Sequence, residues 1–224
     1  MRAIRAHAWD VSPSEAVIIQ RELWAQLCTD TRVGKVRTVA GVDVGLRKGI
    51  ARAAIVVLGY PDLNPLEQAT AQRQVKFPYV PGLLTFREGP VILDALSKLK
   101  DEPEVLIFDG QGMAHPRRMG LATHIGILLD HPTIGCAKSR LCGEYEEPGA
   151  SKGDWSPLLR EGEVIGAVVR TRTNVSPVYV SIGHKVDLQQ AIHYVLSCCT
   201  VYRLPETTRW AHRVAGGASI VGRG

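Results

Sequence analysis

VRTVAGVDVGLRKGIARAAIVVL, residues 36–58, carries the reading on which the fold turns. Val36 to Val44 and Ile50 to Leu58 are runs rich in β-branched residues, and the intervening GLRKG has the glycines of a turn, so the stretch predicts an antiparallel hairpin. Upstream, an amphipathic pattern from Ser14 to Leu27, with Ser12 or Ser14 available as N-cap, predicts a helix leading into the sheet. Downstream, the more polar run Gln68 to Val75 completes a meander, and its polarity places it at an edge. FPYVPG at 77–82 sets prolines on both sides of a tyrosine, which no central strand accepts, and reads as a stiff loop.

Beyond that loop the pattern alternates. Glu88 to Leu99 reads as helix, Val105 to Phe108 as a short apolar strand, Arg117 to Leu129 as helix after a Gly/Pro-rich turn, and Thr133 to Ala137 as strand. A hairpin meander followed by parallel crossovers, β-β-β-α-β-α-β, is the order of the ribonuclease H-like fold: an α/β architecture with a central mixed five-stranded sheet flanked by helices. Glu144 to Arg160 is rich in Gly, Pro and Ser and reads as an exposed insertion. Gly162 to Arg172 and Val178 to Gly183 form a closing hairpin, and Leu188 to Tyr202 and Glu206 to Val214 two final helices, the second with Pro205 at its first turn.

At 224 residues the chain suits one α/β domain over 1–224, acting as a monomer. Its 45% hydrophobic and 22% charged residues are ordinary for a globular protein and exclude disordered and fibrous classes. No apolar run approaches the roughly 20 residues of a membrane span, and MRAIRAHAWD lacks the apolar core of a secretion signal, so a cytoplasmic location is expected. Five cysteines without a CxxC pair fit neither a disulfide framework nor a zinc finger.

The net charge of +5 and pI near 9.0 suit an anionic partner. Most of the basic residues lie at the ends of apolar runs: Arg32, Lys35 and Arg37; Arg47 and Lys48; Arg117 and Arg118; Lys138 and Arg140; Arg170 and Arg172; Arg203, Arg209 and Arg213. Strand ends are where open α/β sheets place their sites, so these groups can form one basic surface around a cleft; a merely solvated surface is the alternative.

Asp43 interrupts the first apolar strand and Asp109 closes another in VLIFDG. If those strands are parallel neighbours, the carboxylates lie side by side and their repulsion demands a cation, for which hard oxygen ligands suggest Mg²⁺ or Mn²⁺. Glu88 can supply a third carboxylate, and such a set serves metal-assisted phosphodiester hydrolysis. The plainer alternatives are a turn aspartate and a glutamate placed to suit a helix dipole. Lys138, after TIGCA, would lie near the same edge, where an ammonium can hold a phosphate or the attacking water. His212, three residues after Arg209, is a candidate for proton transfer or phosphate contact, with packing as the alternative; His115, His184 and His193 are equally open.

The blocks AGVDVG (40–45), FPYVPGLLTFREGP (77–90), FDGQGMAHPRRMGLATHIG (108–126), GCAKSRLCG (135–143), GEVIGAVVRTR (162–172), VSIGHKVDL (180–188) and LPETTRWAH (204–212) resemble the endonuclease V family, in order and over nearly the whole chain. That resemblance implies a metal site on Asp43, Glu88 and Asp109 filled by Mg²⁺, with Mn²⁺ able to substitute, and Lys138 and His212 as basic catalytic partners. It implies a wedge with Tyr79 at its tip, between Pro78 and Pro81, entering DNA beside the lesion, with Gly82 and Arg87 adjoining. The extruded base would be read in the stretch 110–121, by Gly110, Gly112, His115, Gly120 and Leu121. The implied substrate is DNA containing hypoxanthine, cut at the second phosphodiester bond on the 3′ side to leave a 3′-hydroxyl and a 5′-phosphate. Other readings are an endoribonuclease acting on inosine in RNA, a ribonuclease H or junction resolvase, a non-catalytic nucleic-acid binding module, and, from DVG after a strand, an ATP-binding protein of the sugar-kinase or actin-like class.

Overall fold

A computed structural model describes residues 1–30 and 33–220; Arg32 lies outside the described residues. The hairpin is formed by β1 (Thr38–Arg47) and β2 (Ile50–Gly59), and β3 (Pro65–Gln74) completes the meander at one edge of the sheet. β1 runs on to Arg47, so the GLRKG turn contracts to Lys48 and Gly49, with φ of 50° and 77°. Two consecutive left-handed residues make the tight connection that follows the twist of a β-ribbon, and glycine takes the second position without strain.

α2 (Leu84–Leu96), β4 (Val105–Phe108), α3 (Leu121–Leu129) and β5 (Thr133–Ala137) follow, with β4 parallel to both β1 and β5. After them come β6 (Trp155–Arg160), β7 (Glu163–Val169), β8 (Val178–His184), α4 (Leu188–Ser197) and α5 (Glu206–Ala215), while α1 (Pro13–Trp24) precedes the sheet. α1 begins with the capping box Ser12/Glu15. The strand order is β3-β2-β1-β4-β5-β8-β7-β6, so the sheet has eight strands instead of the expected five. Odd-numbered β1 residues such as Val39 join a core with Ile107, Cys136, Val195 and Val214 beneath α4 and α5. Even-numbered ones, Ala40 and Val42, join Ile92, Phe108 and Ile125 beneath α2 and α3.

Two of the extra strands, β7 and β8, are the hairpin expected over 162–183, and the third, β6, lies in the segment read as an insertion. Trp155–Arg160 is the far edge strand, antiparallel to β7, with Ser156 and Leu158 buried between exposed Trp155, Pro157 and Leu159. Pro157 hides this alternation in the sequence, yet an edge strand tolerates a proline. β7 and β8 pair as expected, and β8 then joins β5, which makes the hairpin part of the main sheet.

Helix starts shift for identifiable reasons. α2 begins at Leu84, and Pro90, which by itself suggests a first turn, lies inside it. Glu88 therefore sits a turn into the helix. α3 starts at Leu121 because Arg118 has φ 57°, outside the helical region. α4 ends at Ser197, before the expected Tyr202. No helix among the described residues is long and apolar enough to cross a membrane.

The position of α5 depends on two glycines of AGVDVG. A Cβ on Gly41 would lie 1.9 Å from the carbonyl oxygen of Thr207, and one on Gly45 3.4 Å from that of Ala215, so the helix rests directly on the β1 backbone. Gly41→Ala must push α5 away from the sheet, and overpacking of this kind costs about 3 kcal/mol. Thermal unfolding should show Tm lowered by roughly 6–12 °C for a chain of this size, whereas Gly45→Ala should be much milder.

Candidate active site

The parallel β1–β4 register pairs Val42 with Phe108, and the Asp109 N–H donates to the Val42 carbonyl at 3.0 Å. Asp43 and Asp109 therefore emerge side by side at the same end of the sheet, as expected. α5, seated on the glycines, brings His212 Nδ1 to 2.8 Å from Asp43 Oδ2. Lys138, one residue past β5, places Nζ 2.5 Å from Asp109 Oδ2. One ligand atom from each of Asp43, Asp109 and His212 fits within a mutual 4.8 Å.

Glu88 lies outside that trio but shares its field. Burial, and then the charge of Asp43, push its carboxyl up to about 8, with Arg87 opposing and Asp109 adding to the rise. Burial also raises Asp109, against the bond from Lys138. Two adjacent carboxylates, an imidazole, and a third carboxyl that retains its proton for want of positive charge are a donor set suited to a hard divalent cation. Asp43, Asp109 and His212 could hold one, with Glu88 beside them. The sequence pointed to Glu88 as the third ligand, whereas the geometry puts the His212 imidazole at that distance.

The FPYVPG loop projects next to this cluster. Tyr79 is 74% exposed, and the Arg87 guanidinium lies over its ring, 5.7 Å from the centroid. The loop base is fixed through Gly82, which has φ 79°. Its carbonyl accepts from Arg117 at 2.7 Å, His115 Nε2 at 3.1 Å and Gln20 Nε2 at 3.1 Å. His115 Nδ1 accepts from the Arg117 N–H, which assigns the proton to Nε2. Burial, with Arg117 beside it, lowers the His115 pKa to about 4, so the ring is a neutral fastener near pH 7.

Between the loop and β4 lies a cavity of about 420 Å³ whose walls include Tyr79, Pro81, Gly82, Gly110, His115, Gly120 and Leu121. Asp109 and Lys138 line it too, so the tyrosine loop, the cavity and a carboxylate share one space. Gly112 is beneath it: its N–H donates to Ser181 Oγ at 2.9 Å, and a Cβ there would lie 2.1 Å from the Ile182 oxygen. Pro78 faces a separate depression that it shares with Phe77 and Arg87. His184, bonded to Asp130, and His193, facing the Tyr60 hydroxyl, make their contacts outside this cavity.

Gln20 does not stand out in the sequence. It is 1% exposed; its amide donates to the Gly82 and Met119 carbonyls and accepts from Arg117 Nε at 2.6 Å, tying the loop to the cavity floor. The available signal was a polar residue on the α1 stripe of Ala16 and Leu23. Several of the basic residues at the ends of apolar runs are occupied internally, Arg170 by the Gly149, Pro148 and Val175 carbonyls and Glu147, and Arg203 by the Lys138 and Pro177 carbonyls.

A family model described as Endonuclease V matches residues 21–213. The chain belongs to the endonuclease V family. It is 52% identical over 218 residues to Endonuclease V of Trichormus variabilis, covering 96% of this chain and 99% of that protein. The crystal structure of Endonuclease V from Streptomyces avermitilis superposes with a TM-score of 0.90 at 41% identity, covering 96% of each chain. Endonuclease V of Ciona intestinalis, in complex with a 24mer DNA containing an inosine followed by a ribo-adenosine, superposes with a TM-score of 0.79 at 31% identity over 91% of this chain and 95% of that one. These likenesses place the eight-stranded sheet among ribonuclease H-like folds and make the chain an endonuclease.

The raised Glu88 pKa has a consequence for stability. Unfolded, the carboxyl ionises near 4.5; folded, it keeps its proton to about 8. Between those values the unfolded chain releases a proton that the folded chain retains, so stability falls as pH rises, then levels off. In EDTA, Glu88→Gln should stabilise the protein by on the order of a few kcal/mol at pH 8.5 and by little at pH 4.5, as read from denaturant unfolding. Equal effects at both pH values would contradict this.

Proposed function

We propose that this endonuclease V recognises hypoxanthine in DNA and hydrolyses the second phosphodiester bond on its 3′ side, leaving a 3′-hydroxyl and a 5′-phosphate. The observation that carries the reading is the single space bounded by exposed Tyr79, the 420 Å³ cavity and Asp109 with Lys138. A wedge is needed where a base leaves the stack, a cavity where that base goes, and carboxylates where the backbone is cut. The inosine-containing DNA bound by the Ciona relative agrees with it.

In this reading Asp43, Asp109 and His212, with Glu88, hold Mg²⁺, for which Mn²⁺ can substitute. Bound there, such an ion would supply polarisation of a phosphoryl oxygen and a lowered pKa for a water. The protein's own groups do the rest. Glu88, ionised once a cation offsets the field of Asp43 and Asp109, would accept the proton of the attacking water on its carboxylate oxygen. Lys138 stabilises charge gathering on the phosphate, and its bond to Asp109 holds its chain in place. His212, whose Nδ1 lies 2.8 Å from Asp43 Oδ2, would turn that nitrogen to the ion and keep Nε2–H for the leaving oxygen or a phosphate. On the same reading the chain is one domain over residues 1–224, working as a monomer in the cytoplasm on DNA awaiting repair. The ribo-adenosine in the Ciona complex keeps inosine in RNA as a second reading, and matched DNA and RNA strands with one inosine each, compared side by side, decide between them.

Asp43→Ala or Asp109→Ala should abolish cutting while most DNA affinity survives, because phosphate contacts are spread over many cations. Single-turnover cleavage and a binding titration measure the two effects, and wild-type cutting by either folded variant removes the metal mechanism.

Tyr79→Ala should lose most activity on a fully paired inosine duplex and least on single-stranded inosine DNA, since unstacking costs a few kcal/mol only where a stack exists. Tyr79→Phe should keep most activity. Equal losses on both substrates would mean that Tyr79 is no wedge.

A further inference from the structure

β1 does not stop at the carboxylates. Its pairing with β4 ends at Val42, while its pairing with β2 continues to Arg47–Ile50. Asp43 to Arg47 thus form a ribbon with β2 that projects about 16 Å past the parallel strands, starting from the catalytic aspartate itself. The Lys48–Gly49 turn and the β3 pairing as far as Gln74 make it stiff.

The ribbon carries a distinct chemistry. Arg47 and Lys48 are exposed and Arg52 is half-buried, with Nε lacking any partner. Among the described residues, none of the three has a carboxylate within salt-bridge distance. They border a hollow of about 430 Å³ between the ribbon and the end of α5, lined also by Gly45, Ile50 and Ala215 and by no acidic residue. Leu46 and Ile50 are 53% and 46% exposed at the tip. An uncompensated cationic, partly apolar β-ribbon suits the sugar–phosphate backbone and groove of a duplex.

We infer that the β1–β2 ribbon is a second DNA contact, gripping the substrate flank through Arg47, Lys48 and Arg52. The inference rests on the reading of this chain as a DNA endonuclease. Arg47 is about 13 Å along the strand from Asp43, so the grip falls on the duplex flank outside the carboxylate cluster. The ribbon then fixes the angle at which the duplex enters the carboxylate cluster.

The test is binding of an inosine duplex to the full chain in EDTA across a salt series, with single-turnover cutting in Mg²⁺ at saturating protein. Arg47→Gln/Lys48→Gln should weaken binding on the order of tenfold and lower the salt slope by about 2, with the saturated rate unchanged. Arg47→Glu/Lys48→Glu should weaken it further. In the wild type, trimming one flank from about ten nucleotides to about two should reproduce the loss, and the double variant should not respond to that trimming. An unchanged salt slope, or equal flank dependence in variant and wild type, overturns the inference. Preference of the wild type for inosine over an inosine-free duplex, measured in the same series, reports on the substrate reading separately.

Discussion

Asp43 and Asp109 are like charges held at one level by the register of two parallel strands, and the rest of the site answers to their repulsion. Lys138 is bonded to one and His212 to the other, while Glu88, the third carboxyl, keeps its proton up to about pH 8. The backbone geometry that creates the repulsion is cheap, being ordinary parallel pairing. Neutralising it requires groups from the end of β5 and from α5 to converge, and each arrives by a packing decision made elsewhere: Gly41 beneath α5, Arg203 bracing the Lys138 carbonyl.

The loop half of the site follows a different logic, since it is held by neutral and charged hydrogen bonds to one carbonyl. Gly82 can accept three donors because its left-handed backbone turns the oxygen inward, and a side chain there would collide with Arg117 at 2.6 Å. The loop is thereby pre-formed, so little ordering free energy is lost if it meets a ligand. His115 serves this purpose with both ring nitrogens occupied, which separates it from the titrating histidine that sequence alone leaves open.

Much of this was legible in the chain. The meander, the parallel strands and the two aspartates follow from apolar runs broken by carboxylates, because a charge inside a β-branched run is costly unless a partner or a cation meets it. The far side of the sheet was not legible: Trp155–Arg160 carries a proline and follows a Gly/Ser-rich stretch, and only the β7 partner makes it a strand. Gln20 was hidden for a related reason. A single glutamine in an amphipathic helix looks like surface until the loop 62 residues away presents its carbonyl. α2 begins a turn before the expected Glu88 and carries Pro90 inside it, where an interior proline breaks the usual helical pattern.

The contact between His212 and Asp43 spans 169 residues of sequence. During synthesis β1 appears before β2–β8 and α2–α4, and α5 after them, so the glycine face of β1 waits uncovered while they are made. A nascent or truncated chain that has folded as far as α4 holds its aspartates without the imidazole and without the helix that seals the strand. The arrangement delays assembly of the carboxylate–imidazole cluster until α5 has been made, and so requires a late, long-range closure step in folding.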